Sequence, residues 1–309
     1  MQAVIYKSTG SWYLAKTNDG SFWQCRIKGK LKIDTAITST NPIAVGDFVE
    51  IEPEIGQGNS AMITNIFNRK NYIVRVSPHN KNQKHIVASN MDLSVIIATI
   101  KDPKTSTGFI DRNLVTCEAY HIPAIIVINK ADILNEKEKE YFQYLQTMYH
   151  TAGYPIYLIS VEKKTGLDSL LDALHNKTSL ITGHSGVGKS TFINTILPER
   201  ELRVQEVSAW SGKGMHTTTF AEMFDLPNGG QIIDTPGIRE LGIVDMERAE
   251  LGGYYPEIRI FAKDCKYNNC LHLNEPGCGV KEAVRSNRLI EERYINYVKI
   301  LDTIEDKGY

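Results

Sequence analysis

The chain has no long hydrophobic run, few cysteines and almost no net charge. Its longest apolar stretches, residues 95–98 and 124–128, are far shorter than the roughly 20 residues that a membrane-spanning helix needs. Residues 1–12 lack the apolar core of a signal peptide, so we expect a cytoplasmic protein without membrane contact. The 35 basic and 36 acidic side chains exclude nucleic-acid binding through bulk charge, and any such contact must come from a local patch.

Five cysteines are too few for a disulfide scaffold in a chain of 309 residues. Three of them fall within residues 265–278, which indicates a metal site in a reducing compartment. Cys25 and Cys117 are isolated and read as small buried apolar residues. The chain exceeds one typical domain, so we expect two or three.

The first 70 residues read as five short β-strands separated by turn residues. Their longer third connection fits a small barrel of the oligonucleotide/oligosaccharide-binding (OB) kind, with RNA as a candidate ligand. A barrel without a ligand fits the pattern equally well. The junction that follows, residues 69–91, is basic and has no acidic residue, which is compatible with a solvated linker or with a contact to phosphates.

Strands and helices alternate from residue 86 onward, as in a mostly parallel sheet covered on both faces. Helices are predicted over 109–120, 136–151 and 167–174, and one helical stretch over 280–304. The sequence therefore predicts a multi-domain α/β protein. It comprises an OB-fold barrel at 1–70, a P-loop domain at 71–244 and a zinc-binding helical domain at 245–309.

Residues 183–190 match the G-x-x-x-x-G-K-[ST] phosphate-binding loop, between a predicted strand and a predicted helix. Glycines allow backbone N–H groups to close around phosphate oxygens, and the helix N-terminus adds positive potential. Lys189 is expected to reach the β- and γ-phosphates, and the Ser190 hydroxyl to coordinate Mg²⁺. The predicted phosphate-binding residues are Gly183, His184, Ser185, Gly186, Val187, Gly188, Lys189, Ser190 and Thr191.

The sequence N-K-x-D at Asn129, Lys130 and Asp132 selects the base. An aspartate at the end of a parallel strand can accept hydrogen bonds from both the ring N–H and the amine of guanine, whereas adenine would leave it unpaired. The backbone amides of Ser160 and Val161 are expected to approach the guanine oxygen. The predicted ligand is therefore GTP or GDP.

The sequence D-T-P-G begins at Asp234, which can hold Mg²⁺, while the Gly237 amide can bind the γ-phosphate. Between this motif and the P-loop lies a hydroxyl-rich loop, residues 214–219. Thr218 or Thr219 is expected to complete the Mg²⁺ shell, unless the segment is only a solvent loop. Ile238 occupies the place where small GTPases carry a glutamine, so we expect slow turnover. His216 is the first candidate for the catalytic group and His184 the second, with a packing or partner-contact role for His216 as the alternative.

The order of these motifs differs from that of ordinary small GTPases, because N-K-x-D precedes the P-loop. A circular permutation explains the order, since sheet position and not chain order sets the site.

Cys265, Cys270, His272 and Cys278 supply three thiolates and one imidazole, a complete tetrahedral ligand set for one structural Zn²⁺. The stretch after them is rich in basic and tyrosine residues. It is compatible with a face for RNA phosphates or with a solvated surface. The residues of this candidate face are Arg259, Lys263, Lys266, Lys281, Arg285, Arg288, Arg293, Tyr294, Tyr297 and Lys299.

The motif order, G-H-S-G-V-G-K-S, H-T-T-T, D-T-P-G-I-R-E and the C-x4-C-x-H-x5-C loop together resemble the RsgA (YjeQ or YloQ) family of bacterial ribosome small-subunit-dependent GTPases. The departures are Val161 in the base-contact pair and Thr191 after Ser190. The resemblance implies a monomer that binds 16S rRNA late in 30S assembly. It also implies slow GTP hydrolysis that the 30S subunit stimulates, and action alongside other assembly factors.

Two other functions remain open at this stage. One is a GTPase switch that acts on another RNA or on a protein, and the second is a zinc RNA-binding module whose nucleotide site is vestigial. An ATP-dependent kinase is disfavoured by Asp132, because a carboxylate at that place rejects adenine.

Overall fold

The computed structural model describes residues 1–29, 42–56, 58–77, 80–197, 221–227, 229–235 and 246–304. The chain forms two compact units. The first contains residues 1–95, 167–182 and 188–239, and the second contains 96–166, 183–187 and 240–309. None of the helices within these described ranges combines the length and the hydrophobicity needed to cross a bilayer.

The strands and helices are numbered here along the chain. The strands are β1 Gln2–Ser8, β2 Tyr13–Thr17, β3 Phe22–Ile27, β4 Phe48–Pro53, β5 Ser60–Ile66, β6 Tyr72–Ser77, β7 Asn80–Ser89, β8 Leu93–Thr99, β9 Ala124–Asn129, β10 Ile156–Leu158, β11 Thr178–Thr182, β12 Glu222–Asp225 and β13 Gln231–Asp234. The helices are α1 Thr107–Ala119, α2 Glu136–Thr151, α3 Leu167–Leu174, α4 Lys189–Ile196, α5 Pro256–Phe261, α6 Gly279–Arg285 and α7 Glu291–Leu301.

Strands β1–β5 of the first unit close into a barrel, as the sequence predicts. β1 pairs with β2, β2 with β3, β3 with β5, β5 with β4, and β4 returns to β1. Alternate residues point inward, so that Ile5, Ala15 and Cys25 are fully buried in its core. The closed pairing leaves no barrel strand with an open edge, and it confirms the OB-like barrel.

The basic junction after the barrel is not an unstructured linker. β6 and β7 form an antiparallel ribbon within it. Arg69 binds the fully buried carboxylate of Asp47 at 2.7 and 2.6 Å, and Lys70 lies 2.6 Å from Asp92. The junction is therefore structured, and Arg69 and Lys70 are paired with carboxylates that lie outside the segment along the chain.

A strand that the sequence did not reveal, β12, joins the barrel to the parallel strands of the first unit. β11 and β13 are parallel, and β12 runs antiparallel to both β13 and β1. Its last residue, Asp225, accepts from the Tyr6 hydroxyl at 2.6 Å and from Lys16 at 2.6 Å. Those two hydrogen bonds lower the pKa of Asp225 although burial opposes its ionisation.

In the second unit, β9 and β10 are parallel and fully or partly buried, as expected for α/β strands. α2 begins and ends where the sequence predicts. Its start is fixed by a reciprocal capping box between Asn135 and Glu138. The predicted helical stretch 280–304 is two helices, α6 and α7, separated at residues 286–290. Asn287 has a left-handed backbone (φ 55°), which a continuous α-helix does not allow.

α1 and α7 are joined by a buried ion-pair network. Arg293, which is 2% exposed, donates to the carboxylates of Asp111 and Glu257, the latter at 2.5 Å. Asn296 and Tyr149 also donate to Asp111, at 2.8 and 3.0 Å. α7 is therefore packed directly on α1.

Replacing Arg293 by alanine is expected to lower the free energy of unfolding by about 3–5 kcal/mol, because two buried carboxylates would lose their cation. The shift in the urea midpoint, followed by circular dichroism, measures the effect. Lys299→Ala removes an exposed cation from the same helix and serves as the control. Equal midpoints for the two variants would contradict the importance of this network.

Candidate guanine-nucleotide site and metal centre

The loop of residues 183–188 has the backbone of a phosphate-binding loop. Gly183, Gly186 and Gly188 all have positive φ angles, at 140°, 85° and 96°. A Cβ atom on Gly183 would overlap the carbonyl oxygen of Ile97, so no other residue fits there. The loop leads directly into α4, whose first N–H groups lack intrahelical acceptors and favour an anion.

Lys189 and Asp234 both belong to the first unit. Burial lowers the pKa of the Lys189 ammonium, while the charge of Asp234 at the end of β13 opposes this shift. Ser190 and Thr191 follow Lys189 on α4 and are exposed to solvent. A carboxylate in electrostatic contact with Lys189, together with an exposed hydroxyl on α4, fits the oxygen ligands that Mg²⁺ prefers.

Asn129 connects the base-reading motif to the P-loop within the second unit. Its side-chain amide is buried at the end of β9 and donates to the carbonyl oxygen of Val187 at 2.9 Å. Its carbonyl oxygen accepts from the backbone N–H of Val161 at 3.2 Å. The Asn129 side chain therefore connects three segments: its own N-K-x-D motif, the P-loop at Val187 and the loop after β10 at Val161.

Asp132 lies in a 3-10 turn after β9, and its carboxylate accepts a hydrogen bond from the Ser160 hydroxyl. Ser160 itself is fully buried, and its Oγ also accepts from the N–H of Lys163 at 3.0 Å. Lys130, in the left-handed region (φ 68°), donates its ammonium to the carbonyl oxygen of Asp102. The hydrogen bond from Ser160 holds the Asp132 carboxylate in place.

The amides of Ser160 and Val161 already have acceptors within the chain. The Ser160 N–H donates to the Thr165 carbonyl oxygen at 3.0 Å, and the Val161 N–H donates to Asn129. The contact of Ser160 with the base-reading motif therefore runs through its hydroxyl, a role for which the sequence gave no signal.

Several predicted site residues lie outside the described part of the chain. These residues are His216, Thr218, Thr219 and Gly237. The second histidine candidate, His184, lies in the P-loop with its Nε2 2.6 Å from the Thr105 hydroxyl.

The four zinc ligands predicted from the sequence converge in the second unit, where their ligand atoms lie within 4.8 Å of one another. The Cys265 and Cys278 sulfurs are 3.9 Å apart, and each lies 3.5 Å from Nδ1 of His272. A tetrahedral Zn²⁺ with Zn–S near 2.3 Å and Zn–N near 2.0 Å requires separations of about 3.8 and 3.5 Å. Burial raises the pKa of Cys270 to about 12, so a cation is needed to keep this thiol ionised.

Tyr294 and Tyr297 on α7 hold the metal-ligand loop. The Tyr294 hydroxyl donates to the His272 carbonyl oxygen at 2.6 Å, and the Tyr297 hydroxyl donates to the Leu271 carbonyl oxygen at 2.9 Å. Tyr297 and Arg293 are only 1% and 2% exposed, so their assignment to an RNA-facing surface was wrong. The charge and aromaticity of the segment do not by themselves show which helix face is buried.

Two family models match the chain. The model of the RsgA N-terminal domain matches residues 2–63, and that of the RsgA GTPase matches residues 66–244, more than half of the chain. The chain belongs to the RsgA GTPase family. It is therefore a GTPase, and GTP, GDP and Mg²⁺ follow from the family.

Curated RsgA relatives match over the whole length. The "small ribosomal subunit biogenesis GTPase RsgA 2" of Bacteroides thetaiotaomicron is 47% identical, with 100% of this chain and 99% of the relative covered. The "small ribosomal subunit biogenesis GTPase RsgA" of Cytophaga hutchinsonii is 48% identical, with 97% and 98% covered.

Two solved structures of the RsgA family resemble the chain closely. YjeQ from Thermotoga maritima has a TM-score of 0.80 and 31% identity, with 99% of each chain covered. YloQ, described as a circularly permuted GTPase, has a TM-score of 0.76 and 30% identity, with 100% of this chain and 96% of YloQ covered. The predicted fold class, a barrel with a circularly permuted GTPase and a Cys3His cluster, is confirmed.

Proposed function

We propose that this chain hydrolyses GTP as a factor in biogenesis of the small ribosomal subunit. Membership of the RsgA GTPase family supports the reaction, and the names of the full-length relatives support the process. We propose the 30S subunit and its 16S rRNA as partners, reached in the cytoplasm by a monomer that acts with other assembly factors. In this proposal the barrel domain comprises residues 1–70, the GTPase domain residues 71–244 and the zinc-binding domain residues 245–309.

The bridging contacts of Asn129 carry the assignment of the site. Because its amide binds both Val187 of the P-loop and Val161 after β10, the base-reading motif and residues 183–187 of the P-loop are held together in the second unit despite their exchanged order. The Asp132 carboxylate would accept from the ring N–H and the amine of guanine, with Ser160 fixing its orientation. Asn129, Lys130, Asp132, Ser160 and Val161 thus form the proposed base-binding set.

The proposed phosphate-binding set is the loop 183–188 with Lys189, Ser190 and Thr191. Its amides would donate to phosphate oxygens and the Lys189 ammonium to the β- and γ-phosphates. Mg²⁺ supplies positive charge next to the transferred phosphoryl group, and Ser190 and Asp234 are its proposed ligands. Gly237, Thr218 or Thr219 and His216 remain the proposed switch and catalytic groups.

We propose RNA contacts on two exposed surfaces. On the barrel, Trp12 is 41% exposed and the Arg26 guanidinium lies 4.0 Å from its ring centre, an arrangement suited to stacking on bases. On the zinc-binding segment, Arg285 and Arg288 are exposed to solvent and could contact phosphates. The Cys3His cluster would hold one structural Zn²⁺ that keeps this second surface folded.

Small ribosomal subunits are expected to raise the GTPase rate by about tenfold or more, because a partner can position the groups that complete the catalytic site. Phosphate release at saturating GTP measures this rate with and without purified 30S subunits. Large subunits and the Lys189→Ala variant with 30S subunits serve as controls for unspecific and contaminating activity. An unchanged rate with 30S subunits would contradict the ribosomal function and leave a GTPase that acts on another partner.

A further inference from the structure

His184, at the first variable position of the P-loop, has a partner on each ring nitrogen. Nδ1 lies 3.0 Å from the Ser185 carbonyl oxygen, and Nε2 lies 2.6 Å from the Thr105 hydroxyl. Because a carbonyl oxygen only accepts, Nδ1 carries the proton of the neutral ring. Nε2 then accepts from the Thr105 hydroxyl, and the ring has no nitrogen left to activate a water molecule.

Thr105 is itself firmly held. It is 7% exposed, and its Oγ1 accepts from the N–H of Thr99 at 3.0 Å. Its own N–H donates to the Thr99 carbonyl oxygen at 2.8 Å. These reciprocal hydrogen bonds close a turn, residues 99–105, at the end of β8. The hydroxyl that meets His184 therefore has a fixed direction.

The 99–105 turn approaches the candidate nucleotide-binding elements at two further points. Its Asp102 carbonyl oxygen accepts from Lys130 of the base-reading motif. A Cβ atom on Gly186 would lie 3.3 Å from the ring of Pro103, so the P-loop passes close to this turn. Beyond the turn, the Phe109 ring meets the His184 ring edge to face at 5.3 Å. The His184 imidazole is thus held by the Thr105 hydroxyl and by the Phe109 ring.

A P-loop has a particular need for such a contact. Its glycines give the free loop many backbone conformations, and all but one must be lost when phosphate binds. A side chain that fixes the loop beforehand removes part of that entropic cost and improves binding. His184 is suited to this task because it belongs to the loop and its partner belongs to a rigid turn.

We propose that His184 is a positioning residue of the GTPase site, which fixes the first half of the P-loop against the 99–105 turn through the Thr105 hydroxyl. The proposal rests on the proposed role of the P-loop in binding the phosphates of GTP. It gives His184 a role in nucleotide affinity instead of in the chemical step.

Replacing either partner tests the contact. His184→Ala and Thr105→Val are each expected to raise the Kd for a fluorescent GDP analogue about fivefold to tenfold, the effect of one hydrogen bond. The Kd of the double variant should exceed that of the weaker-binding single variant by no more than about twofold, because both changes remove the His184–Thr105 hydrogen bond. His184→Gln, whose amide can reach the hydroxyl, and Thr105→Ser should bind as the wild type does.

The split between kcat and KM separates positioning from chemistry. With positioning, KM for GTP rises while kcat stays within about twofold. A fall in kcat of about 10²-fold at unchanged GDP affinity would show that His184 takes part in proton transfer, and it would overturn the proposal. Additive effects of His184→Ala and Thr105→Val would overturn it as well.

Two control variants keep the outcome readable. Thr116→Val removes another buried hydroxyl of the same unit, bonded to the Arg112 carbonyl oxygen at 2.9 Å, and should leave GDP affinity unchanged. Lys189→Ala should abolish hydrolysis if the P-loop binds the phosphates. Full activity of Lys189→Ala would refute the proposed site itself. An inactive Lys189→Ala with wild-type affinity in His184→Ala would refute only the role of His184.

Discussion

Asp132→Asn is expected to lower kcat/KM for GTP on the order of 10³-fold and to make XTP a better substrate than GTP. The aspartate accepts two hydrogen bonds from guanine, from the ring N–H and from the exocyclic amine. Asparagine offers one acceptor and one donor, which matches the carbonyl oxygen that xanthine carries in place of the amine. Initial rates with GTP, XTP and ATP measure the change.

The controls distinguish base recognition from a general loss of fold. Asp168→Asn removes an exposed carboxylate from α3 and should leave all three rates unchanged. Ser160→Ala removes the hydroxyl that orients Asp132, and it should weaken GTP binding without creating a preference for XTP. An Asp132→Asn variant that still prefers GTP over XTP would refute the assignment of the base site.

Removal of zinc is expected to unfold the segment of residues 251–304 while the barrel stays folded. Structural zinc in small domains contributes about 10 kcal/mol or more of binding free energy, and this energy is part of the folding free energy. Without the ion, three thiols and an imidazole lie close together with nothing to bridge them. The loop whose carbonyl oxygens accept from Tyr294 and Tyr297 then loses its rigidity. Hydrogen exchange after chelation measures the loss of protection, segment by segment.

Cysteine variants complete the zinc test. Cys278→Ser should release the metal, measured as less than one zinc per chain, and should reproduce the loss of protection. Cys25→Ala changes a buried cysteine of the barrel, remote from the cluster along the chain, and should keep one zinc per chain. A wild-type protein that contains no zinc, or whose residues 251–304 stay protected after chelation, would refute a structural zinc site.

The sequence predicted the helices and strands well where the signal comes from neighbouring residues. The capping box of Asn135 and Glu138 set the start of α2, and the alternation of apolar residues placed the barrel strands. β12 was missed because four residues carry little periodicity, and its pairing with β1 and β13 depends on strands distant along the chain. Asn287, between α6 and α7, is of a residue type that tolerates the left-handed conformation, but no glycine or proline marks the break within residues 286–290.

For the site, the residue types and spacings alone predicted a P-loop, a base-reading motif and four zinc ligands, because phosphate, guanine and Zn²⁺ each demand particular ligand groups at particular intervals. Only the tertiary structure decided which groups hold those donors in place. Asn129 on Val187, Thr105 on His184 and Arg293 on Asp111 are contacts between distant parts of the chain. Burial also distinguishes residues of the same type: Arg293 is a buried cation of the core, whereas Arg285 and Arg288 are exposed.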